Sequence, residues 1–323
     1  MAFLLGTAIE KKQYQFTAGE EYKIQIEAKS AQDTTSGPQT YASIVVGFNL
    51  SFMYEQEHDT DLLSGALQLA QSSDIAIVFV GNTPTWETEG ADRESMDLPR
   101  DGSLDQLITA IAKANSKTIV VNSTGTPITM PWLADISTVI QTWFPGQEAG
   151  HSIADVVLGI VNAGGKLPVT LPESVADIPS YGNFPGDLEI LTVPYKEDVF
   201  IGYRDFDRRP EGVQFLFGFG LSYTNFKIFN PNASGHCMDC NNELAITVDV
   251  ENTGSVAGSE VVQLYAGPTL VISSVDRPNK ELAGFAKVKL QPGESKQVSI
   301  FVGKDAVAYW DEMKDAWSAD TGT

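Results

Sequence analysis

The sequence predicts an α/β chain: a mostly parallel α/β sandwich, preceded by a partial β-sandwich and followed by an antiparallel one. Three patterns point there. Short all-apolar runs bounded by Gly and Pro alternate with helical-period stretches between residues 59 and 179, the rhythm of strands joined by crossover helices. Ahead of residue 58 and beyond Leu244 the apolar period switches to two, punctuated by turn residues, which reads as antiparallel sheet. The expected boundaries are 1–57, 58–225 and 226–323.

In the first part, Tyr14 and Phe16 alternate with polar residues, Ala18-Gly19 marks a turn, and Tyr22, Ile24 and Ile26 alternate again. This predicts a hairpin with one wet face, followed by a strand over 42–50. Three strands from a chain that begins in mid-pattern do not close a sandwich by themselves, so the reading is the tail of a domain whose start is absent.

The α/β part opens with an amphipathic helix over 61–72, with Leu62, Ala66, Leu69 and Ala70 on one side. Ile75–Val80 is apolar and β-branched, the pattern of a strand buried on both faces. A second helix spans 102–114, with Leu104, Leu107, Ile108 and Ile111 at helical spacing, and a second strand spans 118–121. A short helix or turn at 131–135 and a third strand at 139–144 follow, then a helix over 148–159. Residues 181–225, rich in Gly, Pro and aromatics, read as a long connection. From Leu244 onward, turns at Asn252-Thr253-Gly254 and Pro292-Gly293 separate alternating strands, a sandwich of immunoglobulin or fibronectin type.

Composition excludes several functions. With 42 acidic and 21 basic residues the net charge is −21, which repels phosphate backbones and anionic lipid, so neither nucleic acid nor membrane is an expected partner. No apolar run approaches the roughly 18 residues of a membrane span. The first residues, MAFLLGTAIEKK, lack a basic leader and a cleavage site and read as an internal strand. Sequons at Asn49, Asn122 and Asn232, with the acidic surface, favour an extracellular location. The lone pair Cys237 and Cys240, with His236 beside it and only His58 and His151 elsewhere, fits a local disulfide or two inert thiols better than zinc. No metal or cofactor is expected.

The chemistry therefore falls to carboxylates. There is no G-x-G-x-x-G after a strand, no P-loop of correct spacing at 159–167 and no G-x-S-x-G elbow. The loop after the first α/β strand, however, crowds Trp86, Glu87, Glu89, Asp92 and Arg93 into eight residues. It lies beyond the carboxyl end of a strand, where open α/β sheets bind ligands. A carboxyl beside other acids and an aromatic wall can act as a general acid; solvated charges on a surface loop are the plain alternative.

The sequence as a whole resembles the glycoside hydrolase family 3 β-glucosidases of fungi and bacteria. WETEGADRESMDLP (86–99) is similar to that family's W-E-S-E-G-x-D-R acid/base loop. STGTPITMPW (123–132) resembles its S-G-x-P-V-x-M-P-W, and 143–172 its G-Q-E-G-G-N-A-I-A-D-V-L-x-G segment through N-P-x-G-K-L-P. GYRDFDRRPEGVQFLFGFGLSYTNF (202–226) resembles G-Y-R-x-x-D followed by F-P-F-G-x-G-L-S-Y-T-x-F, and the last part its fibronectin type III-like tail. Departures are Leu216 for Pro, Ile160 for Asp and His151 for Asn.

The resemblance implies a retaining glycosidase acting on terminal β-D-glucosyl residues of cello-oligosaccharides or aryl glucosides. It places the acid/base at Glu89, with Glu87 as runner-up. It gives Trp86 either a sugar-stacking or a packing role, pairs Asp92 with Arg93 to brace the loop, and makes Tyr203, Arg204, Gln147 and Glu148 structural. The family's nucleophile is the aspartate of an S-D-W motif on an amino-terminal TIM barrel, and this chain has no such motif. The expectation is a carboxyl-terminal fragment, weakly active alone, whose missing barrel is its partner. The alternative is a non-catalytic carbohydrate-binding or structural module.

Overall fold

A computed structural model describes residues 14–23, 61–84, 86–89, 92–93, 95–99, 102–234, 244–268 and 275–319. The strand expected at 42–50, the hairpin arm through Ile24 and Ile26, and Cys237 and Cys240 lie outside them. The chain divides into two compact units, Met1–Phe144 and Pro145–Thr323. That division falls inside the 58–225 segment expected for the α/β part.

In the first unit, residues 14–23 keep the expected turn at Ala18-Gly19 but form no strand ladder. The Tyr22 hydroxyl accepts the Thr17 amide at 2.9 Å across that turn. The Tyr22 ring meets Phe16 edge-on, 4.9 Å between centroids. Helix α1 (Leu62–Ser72) starts at Asp61, whose Oδ1 accepts the Ser64 amide at 3.0 Å, an N-cap bond. Strand β1 (Ala76–Gly81), helix α2 (Ser103–Ala114), strand β2 (Thr118–Ser123) and strand β3 (Thr138–Gln141) follow, with a 3-10 turn at Leu133–Asp135. The strands pair in parallel in the order β1-β2-β3, with Gly81 opposite Ser123 and Asn122 opposite Gln141. The parallel sheet with its crossover helix is as the apolar rhythm predicted.

Helix α2 packs against β1 and β2 through a face that buries Ile108, Ile111 and Ala112. Asn115 ends that helix and holds the end of α1 as well, its Nδ2 donating to Ala70 O at 2.9 Å and Ser73 O at 2.8 Å. This adds a second donor to the Ala70 carbonyl, which the Ser73 amide already caps, and satisfies that of Ser73 beyond the helix end. Strand β1 departs from expectation. It buries Ala76, Val78 and Val80, whereas Ile77 and Phe79 are 41% and 62% exposed. A sequence that is apolar at every position cannot say whether both faces are covered. Here β1 is the edge of the described sheet and only its α2 side is filled.

The second unit begins with helix α3 (Ala149–Val157), then the short β4 (Leu171–Pro172), helix α4 (Tyr203–Phe206) and β5 (Val213–Phe215), with β4 and β5 antiparallel. Strands β6 (Phe226–Ser234), β7 (Leu244–Asn252), β8 (Gly258–Ala266), β9 (Glu281–Leu290) and β10 (Ser295–Val302) form two antiparallel sheets, β10-β7-β6 and β8-β9. Between them lies a core of Val250, Val262, Leu290, Val298, Ile300 and Val302, with Phe226, Val248 and Leu264 packed around it. A hairpin of β11 (Tyr309–Asp311) and β12 (Ala316–Ser318) closes the described chain.

Residues 145–225 belong with this sandwich by contact. Lys166 pairs with Glu260 at 2.9 Å, both largely buried, and Asn162 Nδ2 donates to Ala257 O at 3.1 Å. The Tyr203 hydroxyl accepts the Leu282 amide at 2.8 Å, and Arg204 pairs with Glu281 at 3.2 Å. Glu148 pairs with His151 on the surface, at 2.8 Å.

Candidate functional site

Because β1, β2 and β3 run parallel and in register, the loops at their carboxyl ends emerge side by side. The Asn82 amide donates to Ser123 O at 3.1 Å and the Thr142 amide to Asn122 O at 2.9 Å, carrying the pairing past the strands. The loop after β1 then folds back on itself, with the Trp86 and Glu87 amides both donating to Thr83 O at 2.9 Å. The crowded acidic run expected to carry the chemistry therefore sits on the carboxyl edge of the sheet.

The structure gives the two glutamates different work. Glu87 is half-buried, and its Oε2 accepts from Asn82 Nδ2 at 2.6 Å and from the Gly125 amide at 3.3 Å. It thus ties the β1 loop to the β2 loop. Glu89 is exposed, and among the described residues its carboxylate has no hydrogen-bond or ion-pair partner. One carboxylate is tied to the scaffold and the other is exposed.

Trp86 is half-buried and donates from Nε1 to Asp97 O at 3.0 Å, so its polar edge fastens the loop. Asp97 in turn accepts from Thr129 Oγ1 at 2.5 Å. Arg93 donates from Nη2 to Pro127 O at 2.9 Å. Burial lowers the Arg93 pKa below its usual value, and the charges of Glu87 and Asp97 oppose that shift. Those two are its acidic neighbours, whereas Asp92 is exposed and has no ion pair among the described residues. Residues 86–99 are thus braced on the 123–132 segment at Gly125, Pro127 and Thr129.

Gly125 is a requirement of this bracing. A methyl placed there would stand 2.6 Å from Glu87 Oε1 and 2.7 Å from the Phe144 ring. Gly125→Ala should therefore push Glu87 off its anchor and cost about 1–3 kcal/mol by overpacking, measurable as a lowered urea midpoint. Strand β3 ends in a further constraint: Trp143 has φ +55°, a left-handed conformation costly for a bulky residue and concentrated at functional edges. Asn82, Gly125, Asp97 and Thr129 were not singled out by sequence reasoning. Their partners lie 5 to 38 positions away, and only the glycine carried a local hint.

Behind the loop, Trp132 is 1% exposed and donates from Nε1 to Asp105 Oδ1 at 2.8 Å. Burial raises the Asp105 pKa above the ordinary 3.8, partly offset by that hydrogen bond. A raised carboxyl pKa means the folded state holds its proton more tightly than the unfolded state. The stability it contributes is present below pH 3.8 and lost as pH rises through the higher folded value. Asp105→Asn should flatten that part of the stability–pH curve, which denaturant titrations from pH 3.5 upward would record. Among the described residues no group of three or more His, Cys, Asp or Glu is placed to hold a metal, and no helix is long and apolar enough to cross a membrane.

Residues 7–223 match the Glycosyl hydrolase family 3 C-terminal domain, and residues 260–323 the Fibronectin type III-like domain. Beta-glucosidase B of Emericella nidulans is 46% identical over all of this chain and 39% of its own length. Probable beta-glucosidase I of Aspergillus fumigatus is 40% identical over 98% of the chain and 38% of its own length. Among solved structures, the chain is similar to a β-glucosidase from Kluyveromyces marxianus in complex with glucose, at 41% identity and TM-score 0.75. That likeness covers 84% of this chain and 31% of the other. DesR, a β-glucosidase from Streptomyces venezuelae in complex with D-glucose, gives 36% identity and TM-score 0.73, covering 80% and 32%. The chain thus spans about two-fifths of the length of the curated relatives it matches.

Proposed function

This chain belongs to glycosyl hydrolase family 3 through its C-terminal domain, and from that membership we propose that it supplies the acid/base half of a retaining β-glucosidase site. Glu89 protonates the oxygen of the departing aglycone and, in the second step, takes a proton from the attacking water. The carboxylate that attacks the anomeric carbon comes from a part of the enzyme outside this chain, set roughly 5–5.5 Å across the scissile bond. The substrate is a terminal β-glucoside such as cellobiose or an aryl glucoside.

One observation carries the choice of residue. Of the two glutamates in the loop, Glu87 is held by Asn82 and Gly125, while Glu89 is exposed and unpartnered among the described residues. Asp92, also exposed, follows it on the same loop and brings a second negative charge. Glu87 and Arg93 brace the loop, and Trp86 is available to line the site beside them.

Incubating the chain alone with an aryl β-glucoside tests the division of labour. The expected result is trace hydrolysis at most, abolished by Glu89→Gln. Rapid turnover that survives Glu89→Gln would overturn both the assignment of Glu89 and the external nucleophile.

A further inference from the structure

The fold treats two N-x-S/T motifs in opposite ways. Asn232-Ala233-Ser234 lies on β6, at the edge of the β10-β7-β6 sheet, and all three residues are exposed. The backbone carbonyl of Asn232 faces Thr247, but among the described residues its side-chain amide has no hydrogen-bond partner. The ladder is irregular just before it, between Phe229 and Asn232, where Asn230 takes φ +51°. A bulge leaves its extra residue unpaired and bends the edge strand, and here the side chains that follow it are exposed.

Asn122-Ser123-Thr124 is the reverse. Asn122 is 0% exposed on β2, the central strand of the parallel sheet. Its Nδ2 donates to Gln141 Oε1 at 2.6 Å and to Thr124 Oγ1 at 3.2 Å, which uses both amide hydrogens. Gln141 Nε2 continues the network to Thr124 O at 3.1 Å, and Ser123 Oγ meets Thr142 Oγ1 at 2.7 Å. A saccharide on this nitrogen would replace one of those hydrogens and would have to occupy the interior between β2 and β3.

We propose that Asn232 is an acceptor site for an N-linked glycan, and that glycosylation of Asn122 and folding of the parallel sheet exclude each other. In the transfer, Nδ2 bonds to the anomeric carbon of an oligosaccharide carried on a lipid pyrophosphate. The carbon–oxygen bond to pyrophosphate breaks, the lipid pyrophosphate leaves, and the amide proton passes to a base of the transferase. The sequence pattern makes the two sites equivalent, and burial separates them. A secretory compartment that modifies the chain before β2 and β3 pair therefore diverts it from its native structure, whereas modification at Asn232 does not.

The test directs the full chain through the secretory pathway of a yeast. Each motif is then read by peptide mass spectrometry after enzymatic deglycosylation in heavy-oxygen water, in the soluble monomer and in the aggregate. The expected result is a glycan on Asn232 and none on Asn122 in the soluble monomer, with Asn122-modified chains confined to the aggregate. Asn232→Gln should remove that glycan and leave the yield of soluble chain unchanged. A soluble, cooperatively folding monomer that carries a glycan on Asn122 would overturn the exclusion. A bare Asn232 in soluble chain, or an aggregate with Asn122 unmodified throughout, would equally overturn the proposal.

Discussion

Glu89→Gln should lower kcat by about 10²–10⁴-fold on a β-glucoside with a poor leaving group, the share that a positioned general acid supplies and about 3–5 kcal/mol of transition-state stabilisation. The measurement needs the attacking carboxylate, so the chain is read out in place of the matching segment of Emericella nidulans Beta-glucosidase B, 46% identical to it. The loss should shrink on a dinitrophenyl glucoside, whose aglycone departs without protonation. Glu87→Gln keeps an oxygen that can accept from Asn82 and Gly125 and should cost far less. If instead Glu87→Gln shows the leaving-group dependence and Glu89→Gln does not, the proton donor is Glu87 and the open carboxylate is a bystander.

Trp132→Ala should destabilise the first unit by about 3–5 kcal/mol, the usual cost of removing a fully buried aromatic. Trp132 is among the largest side chains completely buried here and supplies the hydrogen bond to Asp105. Its loss therefore leaves a cavity and a half-buried carboxyl without its donor. Trp132→Phe separates the two effects. It fills most of the volume and removes only the donor, for which about 1–3 kcal/mol is expected. Without the indole the Asp105 pKa rises further, because the hydrogen bond is what opposes burial. The Phe variant should then lose stability more steeply as pH rises above 3.8. Urea unfolding at several pH values reads both terms, and a loss below about 1 kcal/mol for Trp132→Ala would show that the segment repacks.

The first expectation rests on a tie invisible in either segment alone. The 86–99 loop and the 123–132 segment were each recognisable as motifs. In the structure they are joined: the Gly125 amide and the Thr129 hydroxyl donate to Glu87 and Asp97, and Arg93 donates to Pro127 O. Substitutions in one segment should therefore act through the other, and Gly125→Ala is the cheapest probe of that dependence.

The sequence by itself determined the alternation of strands and helices from 61 to 141, the turns at 252–254 and 292–293, and the antiparallel β character of the last part. Each of these follows from the spacing of apolar residues along a few consecutive turns or pleats, because that spacing sets which side of an element must leave water. It also placed an acidic loop at the end of a strand. What only the tertiary structure decided is which members of a pattern meet a partner. Glu87 and Glu89 are the same residue type two positions apart, yet an amide 38 residues away claims one and not the other. Ile77 and Val78 are equally apolar, yet α2 covers one side of β1. Asn122 and Asn232 share a motif, yet one lies in a central strand and the other on an edge. Burial and hydrogen-bond satisfaction are properties of surfaces brought together from distant parts of the chain, and local periodicity holds no record of what arrives on the other side.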